Sequence, residues 1–103
     1  MKELILTRSD KPTKKYEISF YDAIGTHIKG VVRFGAKGYS DYTINKDDKK
    51  KENYIKRHSV NEDWSDLDKP GTWSRYILWN KPTIKESIKD MEKRFNIKII
   101  DKT

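Results

Sequence analysis

Cysteine is missing from all 103 positions, so disulfides, thiolate metal sites and cysteine nucleophiles are excluded together; the chain is compatible with a reducing compartment. Long apolar runs are missing too. No stretch approaches the roughly 20 residues of a membrane-spanning helix, and Lys2, Glu3, Arg8 and Asp10 interrupt the N-terminus too early for a signal-peptide core. The expectation is a soluble, unprocessed chain with no transmembrane segment. Histidine occurs only at His27 and His58. Neither lies in an HxH or HExxH spacing, and no carboxylate pair stands ready to join them. Asp22, Asp41 and Glu52 are the acids that an acid-base or metal centre would have to recruit, and no motif gathers them. No enzymatic activity and no cofactor are therefore expected.

What remains is basic and aromatic. Lys and Arg number 23 against 16 Asp and Glu, giving a net charge of +7. A sequence pI of about 9.5 favours a polyanionic partner, either nucleic acid or an acidic membrane surface. Only 34% of residues are hydrophobic, but three Trp, six Tyr and three Phe supply core bulk that disordered basic tails lack. The length fits a single domain spanning 1–103.

The first third, to about residue 35, reads as β. "ELILT" is followed by a turn at Ser9 to Pro12, and "KKYEISFY" places Tyr16, Ile18 and Phe20 on one face by strict alternation. A hairpin connection at Asp22 to Gly25 leads into a third strand. There Ile24, Ile28, Val32 and Phe34 share the buried parity, and His27, Lys29 and Arg33 face the other way beside Val31. One sheet face is expected to be apolar and the other basic.

Residues 41–96 read mainly as helix. "KDDKKKENYIKRH" has Asp47 and Asp48 near its N-terminal end and Arg57 and His58 near its C-terminal end, as the helix dipole favours. At 3.6 residues per turn, Tyr54, Ile55 and His58 form its buried side. "SVNEDWSDLDKPG" is an acidic connector, with Glu62, Asp63, Asp66 and Asp68 against Lys69. Thr72 is placed to cap a short helix, "WSRYILW". Thr83 and Glu86 form a capping box that opens "IKESIKDMEKRF", where Ile84, Ile88, Met91 and Phe95 share a narrow arc. "IKII", 97–100, is a candidate last strand at the sheet edge. The fold class expected is α+β, a small antiparallel sheet covered on one face by two or three helices.

The stretch "FGAKGYSDYTINKD", 34–47, poses a choice. Gly35 and Gly38 can take positive φ, so their turn can present amides to an anion with Lys37 beside them. It can equally be a plain strand-to-helix turn. It is not a Walker loop, because the Gly-Lys-Ser/Thr ending is absent.

The helix over 46–58 carries the stronger signal. Five of its six basic residues, Lys46, Lys49, Lys50, Lys56 and Arg57, project away from Tyr54 and Ile55, and Asp47, Asp48 and Glu52 fall off that side. Basic groups so spaced can meet successive phosphates. The stripe is mostly lysine, without the clustered Arg, Asn or Gln of a base-reading helix. Lys85, Lys89 and Lys93 make a further row on the last helix, where only Asp90 to Arg94 offers a compensating pair. Trp64, Trp73, Tyr76 and Trp79 could stack on bases, although core packing is the more economical use, with Trp64 the exception to watch.

"FGAKGYSDYT", "YIKRH" and "WSRYILWNKPTIKESIKDMEKRF" resemble a family of small basic proteins encoded by giant nucleocytoplasmic DNA viruses, over about residues 32–96. The resemblance implies a viral context, with residence in a virion core and in the host cytoplasm during infection. Together with the charge pattern, it leads to sequence-independent binding and condensation of double-stranded DNA. Lys46, Lys49, Lys50, Lys56 and Arg57 would contact phosphates, supported by Lys37 with the loop amides and more distantly by Arg33, Arg75 and Lys81. The acidic segment 61–68 would supply self-association by docking on a neighbour's basic surface. The alternative is a structural virion protein of the capsid or inner membrane layer, binding acidic protein or lipid with the same face.

Overall fold

A computed structural model describes residues 3–21 and 30–103. Strands β1 (Glu3–Arg8), β2 (Lys14–Tyr21) and β3 (Val32–Ala36) precede helices α1 (Tyr42–Asn45), α2 (Asp48–Ser59), α3 (Pro70–Trp73) and α4 (Ile84–Phe95), and β4 (Lys98–Asp101) closes the chain. A π-helical turn, Ser74–Leu78, continues α3 without a break. The fold is α+β, as the sequence indicates. The hairpin at Asp22 to Gly25, and Ile24, His27, Ile28 and Lys29, lie outside the described residues.

The sheet order is β3-β2-β1-β4. β1 and β3 both pair antiparallel with β2, but β4 pairs parallel with β1, aligning Leu4 with Ile99 and Ile5 with Ile100. The sheet is therefore mixed rather than wholly antiparallel. The parallel pairing follows from the route of the chain, since β4 is reached only after the helices have crossed the sheet. Asn96 ends α4 in the left-handed region at φ 54°. The Ile97 amide donates to Glu92 O, and the Ile99 amide to the Glu92 side chain at 2.9 Å, which turns the chain back onto the β1 edge.

Alternation sends Leu4, Leu6, Ile18, Phe20, Phe34 and Ile99 to one face, where they are buried under Trp73, Ile77, Leu78, Ile88 and Met91. Trp73 is the hub, edge-on to Phe20 at 6.5 Å and tilted over Phe34 at 6.2 Å. Its indole N–H donates to Leu67 O at 2.8 Å, so the largest core side chain carries no unmet polar group. The opposite face is mixed, not basic. Ile5, Thr7, Glu17, Ser19 and Ile100 share it with Arg33 by register, and Arg33 Nε lies 3.1 Å from Asp10 and 3.4 Å from Glu17.

The Thr83 capping box forms as its spacing predicts: Thr83 Oγ1 accepts from the Glu86 amide and donates to Glu86 Oε1. Ile88 and Met91 are buried, Ile84 and Phe95 pack against the core, and Asp90 pairs with Arg94 at 3.3 Å. The helix before it starts earlier than expected. Pro70, with φ preset for a first helical position, opens α3. Thr72 is instead buried inside it, donating to Asp66 O at 2.6 Å.

Candidate nucleic-acid interface

The glycine loop turns the chain. Gly35 and Gly38 have φ of 78° and 91°, and a Cβ on Gly35 would sit 2.7 Å from Leu78 Cδ1 and 3.3 Å from Lys15 Cβ. A side chain here would have to displace Leu78 as well as adopt a left-handed φ, which favours glycine. The Lys37 amide donates to Thr13 O at 3.0 Å and the Tyr39 amide to Ala36 O, so these two amides are spent on the turn rather than presented to an anion. Past the turn, Asp41 is 2% exposed. It accepts from the Thr43 amide at 2.9 Å to cap α1, and Lys15 Nζ lies 2.6 Å from its other oxygen. Lys15 also donates to Tyr39 O. Strand β2 is thus clamped to the loop by an ion pair whose carboxylate is buried and whose ammonium is largely so.

Helix α2 begins at Asp48, two residues later than its charge pattern suggests. Asp47 is its N-cap, accepting from the Lys49 and Lys50 amides at 3.0 and 3.2 Å. Lys46 accordingly lies off the helix, at φ 50° after α1, with Nζ on Thr43 O at 3.0 Å. Burial of α2 rests on an aromatic stack. Tyr54, 8% exposed, lies parallel to Trp79 at 4.5 Å and against His58 at 4.2 Å. Burial, helped by the charge of Glu62, pushes the Tyr54 phenol up to about 12. His58 Nδ1 is 3.0 Å from Glu62 Oε2, which seats the helix end on the connector.

The exposed side of α2 carries Lys49, Lys50, Lys56 and Arg57; Lys49 and Lys56 project away from the stack, and Lys50 and Arg57, one turn from Tyr54 on either side, border it. Lys56 reaches Glu52 at 3.1 Å, and the Glu52 carboxyl is held below its usual range by hydrogen bonding to Lys56 and by the charges of Lys49 and Lys56. Lys49, Lys50 and Arg57 make no ion pair among the described residues. The face thus presents four cations against one carboxylate, in contrast to Lys15, Arg33 and Arg94, whose charges are met at close range.

Arg75 and Lys81 belong to a different place. Arg75 is half-buried, donates to Trp79 O at 2.8 Å, and lies 5.5 and 5.0 Å from the Trp64 and Tyr76 ring centroids. It frames the core edge as a cation–π bracket. Burial lowers its guanidinium pKa. Lys81 is exposed, its amide bonded to Ser87 Oγ at 3.1 Å.

Beside them stands a cation that the helical projection set aside, Lys51. Its ammonium donates to Asn80 O and sits 4.9 Å from the Tyr42 ring centroid. Burial, then the charges of Arg75 and Lys81, lower its pKa. The signal was its position on the Tyr54 side of α2, where a lysine must find an acceptor. Close by, burial tends to raise the Asp90 carboxyl, but hydrogen bonds from Asn80 and Arg94 outweigh it and hold it low. Lys51 and Arg75 are thereby anchored in structure, whereas the Lys81 side chain is exposed.

The nine cations singled out from the sequence therefore divide. Lys49, Lys50, Lys56 and Arg57 come together on one face. Lys46 borders α2, Arg75 and Lys81 flank the Asn80 turn, Arg33 is paired on the sheet, and Lys37 is exposed within the glycine turn. Trp73 lies in the core and Trp79 packs against it; Trp64 is half-buried with its ring facing Arg75, and the exposed aromatic among the described residues is Tyr39, at 73%. Among those residues, no cluster of three or more His, Asp or Glu side chains is arranged to hold a metal ion. Nor is any helix among them long and apolar enough to cross a membrane.

Residues 4–58, just over half of the chain, match the model of a family of unknown function, DUF5754. The chain belongs to that family. The DUF5754 match takes in all but the first residue of β1, the whole of β2 and β3, the Lys15–Asp41 clamp and all but the last residue of α2, including its basic residues. Arg75 and Lys81 fall outside it. Neither a curated protein nor a solved structure matches the chain.

Proposed function

We propose that the protein binds the phosphate backbone of double-stranded DNA without reading its sequence, and that it condenses the genome in a virus particle core. The observation that carries the binding step is the outward face of α2. Lys49, Lys50, Lys56 and Arg57 are exposed together on a rigid helix, and three of them lack an ion-pair partner among the described residues. Lysine-rich groups on a helix exterior suit phosphates rather than base edges. Lys37 and Lys81, also exposed, would add to the general attraction.

The viral setting, with the virion core and the cytoplasm of the infected host as locations, comes from the resemblance over 32–96. Binding is read here as the whole task, without catalysis. Condensation needs a bridge between copies, and the acidic segment 61–68 is its proposed source. Asp63 accepts from the Ser65 amide and hydroxyl at 3.0 and 2.6 Å, which holds its carboxyl ionised below the usual range. Asp66 accepts from the Asp68 amide at 2.9 Å. These turns fix the backbone around Asp63 and Asp66, with Asp63 and Asp68 exposed and Glu62 turned to His58.

The test is a competition at matched salt among duplexes of unrelated sequence and vesicles of anionic lipid. Equal affinity for the duplexes, well above that for vesicles, supports the proposal. Preference for the vesicles would replace it with the structural virion reading.

A further inference from the structure

Away from the α2 face, a cavity of about 270 Å³ is lined by Arg8, Ser9, Lys15, Tyr16 and Lys37. Backbone hydrogen bonds fix its walls. Arg8 is paired with Tyr16 across β1 and β2. The Ser9 amide donates to Lys15 O at 3.1 Å, and the Lys37 amide to Thr13 O at 3.0 Å. Three separate chain segments are thus tied around one space.

Every ionisable group that lines it, apart from the Tyr16 phenol, is a cation. Lys15 is committed to Asp41 and Tyr39 O. Arg8 and Lys37 are exposed, and their side chains meet no acceptor among the described residues. Ser9 Oγ accepts from the Lys11 amide at 3.0 Å, which leaves its hydroxyl proton to be given elsewhere. Arg8, Lys37 and Ser9 therefore line one space with donors to spare, and no carboxylate lines it to satisfy them.

We propose that this cavity binds a phosphomonoester dianion. Such a group carries close to two negative charges near neutral pH and three acceptor oxygens, matching two uncommitted cations and one hydroxyl donor. A backbone diester, with one charge and two free oxygens, fits the same donors less fully. The cavity is below the ~300–1,000 Å³ of pockets that enclose drug-sized ligands, so a phosphate with little more than its immediate bearer is the right scale. That bearer is either the terminal 5′-phosphate of a nucleic-acid strand or a free mononucleotide. The site is separate from the α2 face, and either can fail without the other.

The experiment titrates the full chain, by calorimetry and by amide chemical shifts, with inorganic phosphate, a nucleoside 5′-monophosphate and the matching nucleoside. It is repeated on the Arg8→Gln/Lys37→Gln variant, and on Lys85→Gln/Lys89→Gln as a charge-matched control on α4. The expected result is binding of phosphate and monophosphate but not nucleoside, with shifts at Ser9 and Lys37. Affinity should fall about tenfold or more in the cavity variant, as loss of charge-assisted hydrogen bonds requires, and by less than about twofold in the control.

A short duplex with 5′-phosphate ends is then compared with one ending in 5′-hydroxyl. A preference for the phosphorylated ends that the cavity variant abolishes assigns the site to strand ends. Equal duplex affinities, with monophosphate binding intact, assign it to a free nucleotide. Absence of monophosphate binding at millimolar concentration, or an equal loss in the control, overturns the proposal.

Discussion

Removing the Asp41 carboxylate should destabilise the protein by a large fraction of its total stability. Its side chain is 2% exposed and its partner Lys15 14%, so the carboxylate is shut off from water and the ammonium only partly reached by it. Asp41→Ala deletes two things. One is the α1 cap, worth about 1 kcal/mol; the other is the buried ion-pair partner, whose loss costs roughly 3–5 kcal/mol. The residual exposure of Lys15 places the second term near its lower end, so the sum is about 4 kcal/mol. Against a typical total of about 5–15 kcal/mol, that is severe.

Asp41→Asn keeps an oxygen for the Thr43 amide and loses only the charge, so it should cost about 3 kcal/mol. Urea unfolding reads the difference: with slopes of roughly 1–3 kcal/mol per molar, the midpoint of Asp41→Ala should fall by at least about 1 M. Adding Lys15→Met to Asp41→Asn removes the stranded ammonium and should restore about 1 kcal/mol or more. Wild-type-like midpoints for Asp41→Ala, within about 1 kcal/mol, would refute the clamp.

Three further outcomes are expected. Gly38→Ala, at φ 91° in open space, should lose only the roughly 1–2 kcal/mol of a left-handed residue, whereas Gly35→Ala must also displace Leu78 from 2.7 Å; thermal unfolding should therefore rank Gly35→Ala clearly worse. The Tyr54 phenol, raised from 10.0 to about 12, binds its proton more tightly when folded. Its stabilisation is complete below pH 10 and is lost as pH rises toward 12, a fall of roughly 2–3 kcal/mol. Tyr54→Phe, which keeps the stack, should flatten that part of the stability profile. Changing Asp63, Asp66 and Asp68 to Asn retains the turn acceptors while removing charge, so it should leave single-copy DNA affinity intact and abolish compaction in light scattering. Unchanged compaction would remove the bridging role.

Much of the fold is legible in the residues because local patterns there agree with tertiary burial. Tyr16, Ile18 and Phe20 alternate and face the core, and Thr83 with Glu86 opens α4 where the apolar arc begins. What escapes local pattern depends on distant partners. The parallel pairing of β4 is set by the helical crossover before it, not by "IKII" itself. Asp41 reads as an ordinary polar loop residue until Lys15, 26 positions away, is brought to it.

The basic face was partly legible for the same reason. Helical projection sorts Lys49, Lys50, Lys56 and Arg57 correctly. It misplaces Lys46, because Asp47 starts α2 as a cap, and it cannot reveal that Arg33 meets Asp10 and Glu17 across the sheet. Arg8, at the far end of β1, joins Lys37 only through the register of three strands.

The most direct test of DNA binding through α2 is the salt dependence of duplex affinity for the wild type and for a variant with Lys49, Lys50, Lys56 and Arg57 changed to Gln. Each phosphate contact contributes about 0.9 to the logarithmic slope, and Glu52 already holds part of the Lys56 charge. The slope of the variant should be shallower by roughly three units. Equal slopes for the two proteins would contradict it.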